Sequence, residues 1–165
     1  MHKFNAHRSG FTLIELIVTI GIMIVLGGIA LVDLSGRRAT GDLTSTSAEA
    51  VAALRQAESD AAAQKNGLAW GVYFSNAASG SYFSLYEGSS YASSTVVSKT
   101  NFPNDVVFAT SSIASGGGLD INFAQVTGTP SASATMELDL VIGTARIVAA
   151  STTVTVNAVG GISGQ

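Results

Sequence analysis

Apolar residues run almost unbroken from Phe11 to Val32, and Glu15 is the one charged side chain among them. At about 1.5 Å per residue, a helix over residues 11–32 spans about 33 Å, against a bilayer core of about 30 Å. The ten residues before this run, MHKFNAHRSG, are polar and mildly basic. After it the pattern changes. Leu43, Ala50, Val51, Leu54, Ala57 and Ala61 recur at helical spacing and form one apolar stripe. Arg55, Glu58 and Asp60 fall off the stripe and are expected on a solvated face. Gly36 and Gly41 predict a weak joint between two helical halves, and Asn66-Gly67 predicts the stop.

Beyond Gly67 the period shortens. Segments 68–75, 81–87, 94–98, 105–109, 119–126, 134–142, 145–150 and 152–159 alternate or run apolar, with Gly, Pro and Asn between them. Strand follows strand without an intervening helix, which predicts an antiparallel sheet. The expected fold class is α+β, with a long N-terminal helix packed on an antiparallel β-sheet head. The chain then divides into a leader at 1–10, a membrane-length helix at 11–32, an amphipathic continuation at 33–66 and a β-rich head at 67–165.

The apolar run admits two plain explanations. It could be a secretory signal peptide cut near Gly28-Ile29-Ala30, or an anchor that is never cut. Glu15 fits neither. A carboxylate at the centre of a spanning helix costs about 2.5–3.5 kcal/mol, and less at the shallow depth of one turn from Phe11. Ionisable groups inside such segments are functional candidates. Gly10 also marks a junction before the apolar run, where a signal peptidase site would follow it.

These residues resemble a known family. SGFTLIEL, residues 9–16, is similar to the class III signal of type IV pilins and type II secretion pseudopilins. The resemblance implies a pilin-like fold and a defined processing route. A prepilin peptidase would cut between Gly10 and Phe11 on the cytoplasmic side and N-methylate Phe11. The segment after the cut would serve first as a single-pass anchor in the cytoplasmic membrane, with the head outside the cytoplasm. It would then form the core of an extracytoplasmic filament. Glu15 would pair with the cationic α-amine of Phe11 on a neighbouring subunit. Opposite charges in a low dielectric attract strongly, whereas each alone is penalised. The implied partners are copies of the chain or other pilins, the peptidase, a platform protein and an assembly ATPase.

Many family members have a proline near the end of the apolar run. Here Val32-Asp33-Leu34 stands there, and Gly27, Gly28 and Gly36 supply the flexibility instead. Basic residues flank the run on both sides, Lys3 and Arg8 before it and Arg37 and Arg38 after it. Cytoplasmic placement of the leader therefore follows from the resemblance and not from charge. The order of elements in the head, with FPNDVVF at 102–108 and TTVTVNAVGGIS at 152–163, resembles the H-type minor pseudopilins. That implies a part in protein secretion. A type IV pilus for adhesion, motility or DNA uptake is the alternative, and a ligand-binding β domain is a third reading of another class.

Composition narrows the chemistry. Charged residues make up 12% of the chain, and mean hydropathy is +0.40. So sparse a charge weakens self-repulsion and favours packing of copies. Of eight basic residues, Lys3 and Arg8 go with the leader, leaving six against eleven acids, a net of −5. Nucleic acid is not expected as a partner of the head unless it is a DNA-uptake pilin. The chain has no cysteine, and both histidines, His2 and His7, lie in the leader. Disulfides, thiolate or imidazole metal sites and Ser-His nucleophile pairs are thereby excluded from the processed chain. No catalytic residue, metal or cofactor is expected, and the chain is not expected to be an enzyme.

Weaker candidates have bland readings. Gly116-Gly117-Gly118 lacks the Lys-Ser or Lys-Thr of a phosphate loop and reads as a turn before a strand. Glu137 and Asp139 share one strand face and read as its wet side. Asp105 and Asp120 are expected to cap turns. Trp70, Tyr73, Phe74, Tyr82, Phe83 and Tyr86 could form a binding strip or a shared core face.

Overall fold

The structure, a computed structural model, describes residues 11–142 and 147–165, and for residues 29–37 and 147 the backbone alone. The leader, the turn at Gly143 and the start of the strand expected at 145–150 lie outside the described residues. The chain divides into two compact units with the boundary between Arg38 and Ala39.

Helix α1 spans Leu13–Ala62. Its backbone stays helical through Gly36 and Gly41, so the expected joint does not interrupt it. Within the second unit the whole predicted stripe, from Leu43 to Ala61, is buried. The helix ends before Asn66. Gln64 already turns left-handed at φ 54°, and a short 3-10 turn follows at Lys65–Gly67. The last turn of a helix leaves carbonyls without partners. Here the Ala61 carbonyl accepts the amide of Gln64 at 3.0 Å and that of Val126 at 3.2 Å.

Asp60 departs from the expected solvated face. It is buried, and its Oδ2 accepts from Gln56 Nε2 at 2.8 Å and Lys65 Nζ at 3.0 Å. A carboxylate is tolerated away from water when it is paired and hydrogen-bonded in this way. Arg55 stays exposed and donates to the Ile162 carbonyl at 3.1 Å.

The strands are β1 (Trp70–Ala77), β2 (Gly80–Glu87), β3 (Thr95–Asn101), β4 (Val106–Phe108), β5 (Gly118–Phe123), β6 (Ala134–Ile142), β7 (Ile147–Val156) and β8 (Ile162–Gly164). All pairings are antiparallel, as expected, but they make two sheets where one was expected, ordered β3-β2-β1-β5 and β4-β6-β7-β8. The first of three changes of sheet, between β3 and β4, falls at Pro103, which has no amide proton to extend a ladder. The turn there is closed by the Val106 amide on the Pro103 carbonyl at 3.0 Å.

Two further boundaries differ from expectation. The strands read at 145–150 and 152–159 are one strand, β7, because no glycine or proline separates them. The strand read through Val126 ends at Phe123 instead. Val126 itself adopts φ 72°, where its amide reaches the end of α1.

One core joins the stripe of α1 to both sheets, with Val72, Phe74 and Ile121 from the first and Met136, Leu138 and Val154 from the second. The pleat divides the aromatic residues of β1 and β2. Trp70, Phe74 and Phe83 point into the core, where Phe74 meets Phe108 edge-on at 6.0 Å between centroids. Tyr73, Tyr82 and Tyr86 lie on the opposite face, so the two sequence readings each fit half of the set.

Tyr91, from the 3-10 turn Tyr91–Ser93, stacks on Tyr73 with centroids 4.1 Å apart. Tyr86 crosses over Gly71, where any Cβ would collide with its phenol. Its hydroxyl donates to Asp120, whose other oxygen accepts the Tyr91 amide at 3.0 Å. Burial first, and the bond to Asp120 second, push the Tyr86 hydroxyl above its ordinary value. Asp120 therefore ties β5 to β2 and to the 3-10 turn, and does not cap a turn as expected.

Candidate assembly site at the N-terminal segment

The first unit holds the residues singled out in the sequence. Gly10 lies outside the described residues, and Phe11 and Thr12 precede the first helical residue, Leu13. Thr12 is thus the N-cap and Glu15 the third helical residue. The Glu15 amide donates to Thr12 Oγ1 at 3.3 Å, and the Leu16 amide to the Thr12 carbonyl at 3.2 Å. A threonine followed three residues later by a glutamate is a capping box, in which the N-cap hydroxyl satisfies a free amide of the first turn. The sequence reading missed this cap by Thr12, although T-x-x-E just before an apolar run is legible. An acid there also meets the positive end of the helix dipole.

Beyond the cap, every residue from 11 to 28 is exposed, including Phe11 at 83%, Ile14 at 71% and Met23 at 72%. The exposure is on all sides of the helix. A helix that is apolar all round is stable where something apolar surrounds it, either lipid or other helices. No helix among the described residues is long and apolar enough to cross a membrane. The expected span at 11–32 continues into residues whose side chains lie outside the description.

The weaker candidates of the head have structural places among the described residues. Glu137 and Asp139 are half-buried on β6, between Met136, Leu138 and Leu140 in the core. Burial, and then the neighbouring charge of Glu137, raise the Asp139 carboxyl above its usual range. Asp105 contributes its carbonyl, which accepts the Val141 amide at 2.8 Å. Gly116-Gly117-Gly118 leads into β5 and is fixed to β1 by the Gly116 amide on the Asn76 carbonyl at 2.7 Å. A cavity of about 450 Å³ opens near the β1–β2 turn, lined in part by Asn76, Ser81, Phe102 and Asn104. Its Asn76 amide is already committed to the Ile113 carbonyl at 2.8 Å. Among the described residues, no group of His, Asp or Glu side chains could hold a metal ion.

Residues 5–31 match the family model described as the prokaryotic N-terminal methylation motif. The match covers the leader, the cap and most of the apolar run, and it stops before the head. No curated protein and no solved structure matches the chain.

Proposed function

We propose that this chain, which carries the N-terminal methylation motif and with it the signature of type IV pilins and pseudopilins, is a prepilin-type filament subunit. The observation that carries this reading is the apolar helix exposed on every side from residue 11 to 28, directly behind a capped N-terminus bearing Glu15. In the proposed cycle, prepilin peptidase cuts Gly10–Phe11 and methylates the new amine of Phe11. The helix is held in the cytoplasmic membrane with the head outside. It then exchanges lipid for neighbouring helices as the subunit enters a fibre, a step in which packing and polar pairing replace the hydrophobic drive.

Glu15 of the entering subunit pairs with the Phe11 amine of its neighbour and sets the register, as one buried polar group does in a coiled coil. A platform protein and an ATPase drive the step. The head is structural and not catalytic. Within this reading we place the chain as an H-type pseudopilin of a type II secretion system, on the resemblance of its sequence segments 102–108 and 152–163, with a type IV pilin as the alternative.

Mass spectrometry of the mature N-terminus tests the reading. The expected result is N-methyl-Phe11 as first residue. A chain starting near Leu31, or retaining Met1, overturns it.

A further inference from the structure

The two sheets have four edges among the described residues, and three of them are short or covered. Strand β4 offers three residues. Strand β8 also has three, and its Ile162 carbonyl is taken by Arg55. Strand β5 is covered by the following loop, through the Ser131 amide on the Asn122 carbonyl at 2.7 Å and a bridge from Phe123 to Pro130. The fourth edge is β3, seven residues long and exposed at all but Thr100.

Phe102 donates to the Ser81 carbonyl at 2.9 Å, and the register runs on from Tyr82↔Asn101 to Leu85↔Ser98. Alternation along an antiparallel ladder then turns the amide and carbonyl of Lys99 and of Asn101 away from β2. Natural edges are blunted by proline, by short length or by a lysine beside the free main chain. Strand β3 contains no proline, and its lysine is drawn aside. Lys99 Nζ sits 3.7 Å above the Tyr82 ring, on the face of the sheet and not at its edge. Val96 and Val97 beside it are 46% and 50% exposed.

We propose that β3 is a docking edge for β3 of a second copy of this chain, paired antiparallel about Thr100. Only a strand satisfies a row of outward amides and carbonyls. The sequence is self-complementary in that register, because each Lys99 faces Asn101 of the other copy and no like charges stand opposite. Four main-chain hydrogen bonds form, two each from Lys99 and Asn101. Each copy offers one long uncovered edge among the described residues, so the pairing closes at two subunits. Such a contact is two-fold and distinct from the head-to-tail contacts that build a fibre. It does not depend on Glu15 or on N-terminal processing.

The absence of cysteine makes the test direct. The full chain in detergent, carrying Thr100→Cys, is treated with a mild oxidant and compared with Ser79→Cys, an exposed position in the β1–β2 turn. The expected result is several-fold more disulfide-linked dimer at position 100. Adding Lys99→Pro removes one outward amide without touching the bonds to β2, and is expected to abolish the excess while circular dichroism stays unchanged. Equal cross-linking at 79 and 100 overturns the proposal. So does cross-linking at 100 that survives Lys99→Pro in the folded protein.

Discussion

The proposed role of Glu15 rests on its charge, and a single substitution tests it. Glutamine at the third helical position keeps the main-chain amide that donates to Thr12 Oγ1, but it carries no charge. With Glu15→Gln, the helix and the Gly10–Phe11 cut are expected to persist while incorporation into filaments falls by at least about tenfold, the equivalent of about 1.4 kcal/mol. Normal filament yield from this variant, measured by shearing and immunoblotting, would refute the pairing of Glu15 with a neighbouring Phe11. Val126 offers a second test at this scale. It holds φ 72° with a β-branched side chain that is 62% exposed, so it is strained and buries little in return. Val126→Gly is expected to raise the free energy of unfolding by about 1 kcal/mol in urea titrations. A loss of stability would mean that the side chain contributes more than its exposure suggests.

At the scale of elements, β6 gives a pH prediction. The Asp139 carboxyl is raised by burial and by Glu137. A group whose folded value lies above its unfolded value favours folding when protonated, and that contribution is lost as pH rises through the folded value. Asp139→Asn is therefore expected to raise Tm at pH 7 and to make no difference below the ordinary Asp value of about 3.9. Thermal melts at both pH values check the sign, and equal melts at pH 7 would discount the burial. The same strand shows what was legible. Met136, Leu138 and Leu140 alternate with acids, and the period alone placed each on its side. Two things escaped period. Asp60 looked solvated because its partners, Gln56 and Lys65, are ordinary surface residues whose convergence is set by the end of α1. Val126 looked like strand because valine favours strands, but the amide demand of the Ala61 carbonyl bends the chain there.

For the molecule as a whole, the matched methylation motif sits in the first unit and the sheets in the second. The motif was readable because it is a contiguous string of residues. The partition of the head into two sheets was not, because it depends on which strand accepts β4 after the Pro103 turn, a choice made by long-range pairing to β6. The tyrosines tell the same story. All four of the chain, Tyr73, Tyr82, Tyr86 and Tyr91, gather on one face of the first sheet. That grouping needs the β1–β2 register and the fold-back of the 3-10 turn, neither of which has a local signal.

Trp70 is the single tryptophan, 1% exposed, with its indole N–H on the Lys65 carbonyl at 3.2 Å and the Lys65 ammonium 4.7 Å from the ring centre. The protein therefore carries its own optical probe at one defined place, the seam where the end of α1 meets the first strand. Its emission will shift to the red only when that seam opens, whereas tyrosine emission reports the far face of the same sheet. Recording both along one denaturation curve separates detachment of the helix from melting of the sheet, with no dye or label attached.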